Sequence, residues 1–281
     1  MEHINWYPGH MKKTRELIKE NLKLVDLVIE VIDSRIPISS RNPIIDSLVL
    51  NKERIIILNK SDLSDSAEND RWKVKLKNTG SRVITMNCMT GANLNALNRE
   101  LESLQKEKNA LRKLNKPLRM MIVGVPNVGK SSLINRITGK KSTQTGDRPG
   151  VTKGKQWLTL KNGMQLLDTP GILWPKFEDP RVGLNLAFCG SIKDEILDTT
   201  DLAYELLKIL EIEYSDLLIK RYKVDEITDD TLSNMDAIAT KRGFILPGKK
   251  IDYERLGRTL LDEFRAGLIG NITLEKVDLI D

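Results

Sequence analysis

The spacing of hydrophobic residues along the 281-residue chain changes several times, and each change predicts an element. Leu27 to Ile32, Arg54 to Leu58 and Val83 to Met86 are short runs rich in β-branched residues, which read as strands. Each delivers a polar loop: Asp33-Ser34-Arg35-Ile36-Pro37, Asn59-Lys60-Ser61-Asp62 and Asn87-Cys88-Met89-Thr90-Gly91. Leu94, Leu97, Leu101 and Leu104 then share one stripe, which predicts a helix with a buried face. Met120 to Val123 is a further apolar run, followed by Gly124-Val125-Pro126-Asn127-Val128-Gly129-Lys130-Ser131 and a helix predicted over Ser132 to Ile137. Gln156 to Leu160 and Met164 to Leu167 flank Lys161-Asn162-Gly163, a hairpin signal, and the second strand delivers Asp168-Thr169-Pro170-Gly171. Lys140 to Thr152 is polar, contains glycine and has no apolar period, so it reads as a mobile loop.

Further on the period is helical only. Leu202, Leu206 and Leu210, then Leu256, Leu260, Phe264 and Leu268, recur at helical spacing and read as core stripes. The expected layout is an α/β domain over 1–176, a mostly parallel sheet with helices on both faces, and a small all-helical domain over 177–281. Loops at the carboxyl ends of parallel strands are where such sheets bind ligands.

Charge sharpens this division. Residues 1–176 carry 31 Lys and Arg against 17 Asp and Glu, net +14, whereas 177–281 carry 14 against 22, net −8. The first part is therefore the one expected to face a polyanion. Lys106 to Lys116 adds five Lys/Arg opposed only by Glu107 and reads as a basic helix end or linker. Lys241, Arg242, Lys249, Lys250, Arg255, Arg258 and Arg265 cluster within the acidic part. Cys88 and Cys189 form no spaced pair for zinc and no disulfide framework, which suits a reducing compartment. No run approaches the ~18 apolar residues of a membrane span, and motif-like residues begin at Asn5. A cytoplasmic protein is expected.

The chemistry lies in the loops. The stretch from Gly124 to Ser131 fits G-x-x-x-x-G-K-[ST], in which glycines let backbone amides turn inward and the lysine places a cation near the β- and γ-phosphates. Ser131 is the expected Mg²⁺ ligand, and the helix N-terminus beyond it favours anions. Asn59 to Asp62 fits N-K-x-D. A carboxylate at Asp62 can accept from guanine N1–H and its 2-amino group, whereas adenine offers no donor at either place. Asn87 and Cys88 form the companion loop, with the Cys88 backbone N–H assigned to the guanine carbonyl. Asp168 and Gly171 fit D-x-x-G, the carboxylate holding Mg²⁺ through water and the glycine amide meeting the γ-phosphate. Thr152 is the candidate for a second hydroxyl ligand.

Nucleotide contacts are thus expected from Asn59, Lys60, Asp62, Asn87 and Cys88 on the base side. On the phosphate side they come from Asn127, Val128, Gly129, Lys130, Ser131, Ser132, Thr152 and Gly171. Ile172 stands where many GTPases carry a water-orienting glutamine, so hydrolysis needs another source. Two are considered, His10 and a K⁺ ion held by Asn127 that offsets charge as an arginine finger does. With Lys130, Thr152 and Gly171, His10 completes the candidate catalytic set. From position alone, Asn5-Trp6-Tyr7-Pro8-Gly9-His10-Met11, followed by a helix bearing Lys12, Lys13, Arg15, Lys19 and Lys23, reads first as a structural staple for the terminus, with His10 capping a turn, so a catalytic His10 needs support from elsewhere.

The base-reading motif (59–62) and its companion (87–91) precede the phosphate loop (124–131), Thr152 and D-x-x-G (168–171), an order permuted relative to conventional GTPases. The arrangement resembles the circularly permuted GTPases of the YlqF/RbgA family. The resemblance rests on Asn5 to Met11, Asp33 to Pro37, Asn59 to Asp62, Gly124 to Ser131, Pro149-Gly150-Val151-Thr152 and Asp168 to Gly171, and continues into Gly243 to Gly248. It implies late assembly of the large ribosomal subunit, GTP governing attachment and hydrolysis governing release. It also implies catalytic use of the N-terminal histidine and an RNA-contacting helical domain. Ser34 stands where the family often has alanine.

The expected function is therefore a Mg²⁺-dependent GTP hydrolase, a monomer that contacts rRNA through phosphates and is stimulated by the large (50S) subunit, with no DNA or membrane partner. Two rivals remain open to the sequence. One is a GTP-dependent RNA-binding scaffold with little hydrolysis, motivated by Ile172, and the other is a GTPase acting on a non-ribosomal partner.

Overall fold

Strand Leu27–Asp33 (β1) is buried at every position, as expected of a strand covered on both faces. The structure, a computed structural model, describes residues 16, 18–49, 52–139, 156–168 and 179–279. On one side β1 pairs in parallel with Glu53–Asn59 (β2), from Leu27 opposite Glu53 to Asp33 opposite Asn59. Arg82–Thr85 (β3) extends the sheet beyond β2. On the other side β1 pairs in parallel with Arg119–Val123 (β4), followed by Gln165–Asp168 (β6), and Gln156–Thr159 (β5) closes that edge antiparallel to β6. The order β3-β2-β1-β4-β6-β5 places a topological switch point between β1 and β4. Because β1, β2, β3, β4 and β6 run the same way, the loops that follow them leave at one edge of the sheet.

Alternation along β1 assigns the two faces. Leu27, Ile29 and Val31, with Ile55, Ile57, Met120 and Ile122, share a core with Leu97, Leu101 and Leu104 of α3 (Leu94–Arg112) and Leu133 and Ile134 of α4 (Lys130–Thr138). The basic run from Lys106 thus begins as the end of α3. On the opposite face Val28, Met121, Val123 and Leu167 pack with Ile45 and Val49 of α1 (Pro43–Val49) and with Ile18 and Leu22 from the helical residues 18–22. Ile32, Ile56 and Leu58 are covered by Trp72 and Leu76 of α2 (Ser66–Lys77), a helix started by the Asp65 carboxylate accepting from the Ala67 and Glu68 amides.

The C-terminal region is helical. Asp179 caps α5 (Pro180–Phe188), with proline at the first helical position, Asp198 caps α6 (Thr199–Glu213), Asp230 caps α8 (Thr231–Arg242) and Asp252 caps α9 (Tyr253–Arg265). Helix α7 (Ser215–Tyr222) follows α6 directly. Leu202, Leu206 and Leu210 meet Leu256, Leu260 and Phe264 in the same core that lines the sheet. Gly257 permits the close crossing of α9 on α6, since a Cβ there would lie 2.9 Å from the Thr199 carbonyl oxygen. Two details depart from the sequence reading. Helix α9 ends at Arg265, and Leu268 lies beyond Gly267 and is exposed rather than on the core stripe. The stretch Gly243 to Gly248 contributes to a short antiparallel pair, Ile245–Leu246 (β7) with Lys250–Ile251 (β8), set among the helices.

The last described segment returns to the sheet. Ile272 N–H donates to the Leu63 carbonyl at 3.0 Å, Leu274 N–H to the Arg35 carbonyl at 2.8 Å, and the Trp72 indole to the Glu275 carbonyl at 2.7 Å. Glu275 itself is buried, accepting from the Ile38 and Ser39 amides and from Asn185. No described helix is long and apolar enough to cross a membrane.

Candidate nucleotide-binding site

The loop after β4 closes over the end of β1 and leads directly into α4. Gly124 has φ 152°, and a Cβ on it would lie 2.4 Å from the Val31 carbonyl oxygen, so no side chain fits where the loop leaves the sheet. Asn127 adopts φ 60°, a left-handed conformation that asparagine tolerates better than most residues. Gly129, at φ 103°, is the residue before α4. Lys130 opens the helix, is buried, and reaches back across the loop to donate to the Val125 carbonyl at 2.6 Å. Val128 is buried beneath the loop, while Ser131 and Ser132 in the first turn are half-buried. This is a tight loop ending on a helix N-terminus, suited to a polyphosphate.

One asparagine joins three motifs. Asn59, at the end of β2, donates from Nδ2 to the Val128 carbonyl at 2.6 Å and accepts at Oδ1 from the Cys88 backbone N–H at 2.8 Å. Its carbonyl in turn accepts from the Ser34 amide and hydroxyl. A Cβ on Gly129 would lie 2.1 Å from Asn59 Nδ2, so this glycine is required for the contact between loops. The Cys88 N–H, assigned from sequence to the guanine carbonyl, is thus given to Asn59 instead. Burial pushes the Cys88 thiol up to about 12, which leaves it a neutral packing group. Asn87 Oδ1 accepts from the Met89 and Thr90 amides and shapes its own turn.

Ser61 donates through its amide and hydroxyl to the Met86 carbonyl, which ties the base-reading loop to β3, and Asp62 is exposed at the rim. Lys60, at φ 59°, places Nζ 2.7 Å from Asp33 Oδ2. Asp33 is fully buried and also held by Arg35 at both oxygens, Nε to Oδ1 at 3.0 Å and Nη2 to Oδ2 at 2.9 Å. Burial opposes ionisation of Asp33, but the Arg35 and Lys60 cations outweigh it and hold the carboxyl well below the usual range.

Three contributors carry no sequence signal. Arg136, in the last turn of α4, donates to the Met89 carbonyl and fastens the 87–91 loop to the phosphate-loop helix. From the helical unit, the Gly190 carbonyl accepts from Asn127 Nδ2 at 2.5 Å, and the Ser191 hydroxyl donates to the Pro126 carbonyl at 2.9 Å. With the donor end of its amide committed, Asn127 has Oδ1 as the end able to coordinate a cation. Arg99 and Arg136 also line a cleft of about 320 Å³ together with Thr90, Gly91 and Asn93.

His10, Thr152 and Gly171 lie outside the described residues, as does the side chain of Asp168 at the end of β6. Among the described residues no group of three or more His, Cys, Asp or Glu could hold a metal ion. Ser131 offers a hydroxyl oxygen, the type of ligand a hard cation takes.

A family model described as 50S ribosome-binding GTPase matches residues 119–238, and one described as RsgA GTPase matches 25–178. Ribosome biogenesis GTPase A of Bacillus cereus is 44% identical over 276 residues, covering 97% of this chain and 93% of that protein. Its Thermotoga maritima counterpart is 33% identical over 279 residues, covering 97% and 94%. Mitochondrial ribosome-associated GTPase 1 of Bos taurus is 32% identical over 292 residues, covering 96% and 88%. Among solved structures, GNP-bound YlqF from T. maritima superposes with a TM-score of 0.63 at 28% identity, covering 94% of this chain and 98% of that one. A GDP-bound YlqF gives 0.64 at 27% identity, covering 93% and 99%.

Proposed function

The chain belongs to the ribosome biogenesis GTPase A family, and from that premise we propose that it attaches to the maturing large ribosomal subunit with GTP bound and leaves on hydrolysis. It is a guanine-nucleotide-binding GTPase of ribosome assembly, with a ribosomal subunit as its partner. The finer reading is supported above all by one observation. Asn59 binds the phosphate loop with one end of its amide and the 87–91 loop with the other, so that base-reading and phosphate-holding motifs far apart in the chain form one site.

In this reading Asp62 accepts from guanine, Lys130 faces the β- and γ-phosphates, and residues 124–131 supply backbone amides to the phosphate chain. Ser131 and Thr152, with Asp168 through water, would hold Mg²⁺, which when bound offsets charge on the β- and γ-phosphate oxygens. The Asn127 Oδ1 would hold K⁺. His10 orients the water that attacks the γ-phosphorus in line, while Thr152 and the Gly171 amide hold the γ-phosphate until the bond to the β–γ bridging oxygen breaks. Because Ile172 cannot orient that water, hydrolysis is slow until the large subunit brings His10 into place.

Residues 1–176 form the GTPase domain and 177–281 the helical domain, which contacts rRNA phosphates through the exposed members of its basic cluster, Lys241, Lys249, Lys250, Arg255 and Arg258, whereas Arg242 and Arg265 are held by Glu263 and Asp194. Phosphate contacts dominate over base readout because arginines and lysines abound and aromatic platforms do not, and salt-sensitive association follows. The protein acts as a cytoplasmic monomer. Sedimentation with 50S subunits in a non-hydrolysable GTP analogue, compared with GDP, tests the cycle. Equal binding in both nucleotides would reject it.

A further inference from the structure

We infer that Asp33 and Arg35 are positioning residues for guanine recognition: Asp33 holds Lys60 of the base-reading loop, Arg35 holds Asp33, and the C-terminal helical unit holds Arg35. This rests on the assignment of Asn59 to Asp62 to the base, and it adds the contact through which the helical unit bears on that loop.

Lys60 is a half-buried cation on a left-handed backbone, and its ammonium points inward to Asp33 Oδ2 rather than to solvent. Asp33 is only 1% exposed, so its carboxylate must be matched by protein groups. Arg35, also 1% exposed, grips both oxygens through Nε and Nη2, and its backbone N–H adds a third bond at 3.1 Å. The free edge of the guanidinium faces the helical unit. Nη1 donates to the Phe264 carbonyl at 3.4 Å, the Phe264 ring lies 5.0 Å from the guanidinium carbon, and the Arg35 carbonyl accepts from Leu274 N–H at 2.8 Å. Both the side chain and the main chain of Arg35 therefore end on residues beyond 263.

The same loop is held again a few residues on. Leu63 accepts from Ile272, and the Asp65 amide donates to the Thr273 hydroxyl at 3.1 Å. Bonds between ionised partners are stronger than neutral ones, and removing one member leaves the others buried and unmatched. The set is therefore held together or lost together. Seating the helical unit tightens the grip on guanine, and by linkage a partner that lifts the unit weakens it. This coupling acts on the base side, apart from any route through Asp168 and Gly171 to the phosphates.

The test compares affinities for GDP and for pyrophosphate, by calorimetry in Mg²⁺ buffer. Pyrophosphate engages the phosphate loop alone, so a positioning role for Asp33 moves only GDP. Asp33→Asn, which keeps shape and removes the charge, lowers GDP affinity about tenfold and leaves pyrophosphate unchanged. Phe264→Leu keeps the apolar volume and removes the ring face, and gives a selective loss of roughly threefold. Arg35→Lys keeps the charge without the fork and shows the same selectivity. Equal losses for both ligands would mean that the residues only support the fold, and no loss for either would mean that Lys60 needs no positioning; both outcomes overturn the inference. Asp62→Asn is the separate arm. If it leaves preference for GDP over XDP intact, the base assignment itself fails, whereas a shift to XDP beside an unaffected Asp33→Asn rejects the relay alone.

Discussion

Asn59 and Val128 stand 69 positions apart and share a 2.6 Å hydrogen bond from the Asn59 amide to the Val128 carbonyl. That bond ties the 59–62 loop, assigned to the base, to the 124–131 loop, assigned to the phosphates. Asn59→Ala leaves the Val128 carbonyl and the Cys88 N–H buried without a partner, a cost of about 2–4 kcal/mol. Calorimetry should show GDP affinity lowered by at least tenfold, and melting should show a drop of several degrees. Unchanged affinity would remove Asn59 from the centre of the site.

The two glycines of the phosphate loop should fail differently. Gly124→Ala drives a Cβ into the main chain at Val31, so the loop must shift against the sheet and the protein loses stability. Gly129→Ala strikes the end of a side chain, Asn59, and is strained at φ 103°. Nucleotide affinity is its chief casualty. Thermal melting in the absence of nucleotide, beside GDP titration, separates the two, and equal melting losses would contradict the distinction.

Asp62 is exposed at the rim of the base-reading loop, where a carboxylate can accept two hydrogen bonds from guanine. Asp62→Asn exchanges one acceptor for a donor and should move preference from GTP towards xanthosine triphosphate. Competition between the two nucleotides for the variant measures this directly. Retained selectivity for GTP would dismiss Asp62 as the base reader.

Acid should unfold the protein partly through Asp33. Its folded-state carboxyl is held below the ordinary value of 3.8, so its contribution to stability is complete above that pH and is lost as pH falls towards the folded-state value. Chemical denaturation at pH 6 and at successive steps below 4 should show wild type losing stability faster than Asp33→Asn. Parallel curves would mean that the buried carboxylate carries no net linkage.

Much of the architecture was legible because the strands are short apolar runs ending in polar motifs. Leu27–Asp33 and Glu53–Asn59 match the sequence reading to within one residue at each end, and the hairpin around Gly163 follows its turn residues. Local periodicity misled at Leu268, where Gly267 in a left-handed conformation lies between it and the end of the helix. What stayed hidden was long-range. Arg136 acts through its guanidinium, Gly190 through its carbonyl and Ser191 through its hydroxyl, none of them part of a motif, and the segment from Ile272 to Glu275 docks by its main chain and by the Thr273 and Glu275 side chains. Asp33 and Arg35 could be noticed as a motif, but their partners Lys60 and Phe264 meet them only in the fold.

The most direct measurement is GTP turnover in K⁺ buffer, alone and with purified 50S or 30S subunits, for wild type and His10→Ala. The expected result is slow turnover alone, stimulation by 50S and not by 30S, and loss of that stimulation in the variant. Turnover that is indifferent to both subunits would contradict the proposed cycle, and full stimulation of His10→Ala by 50S would strip His10 of its role.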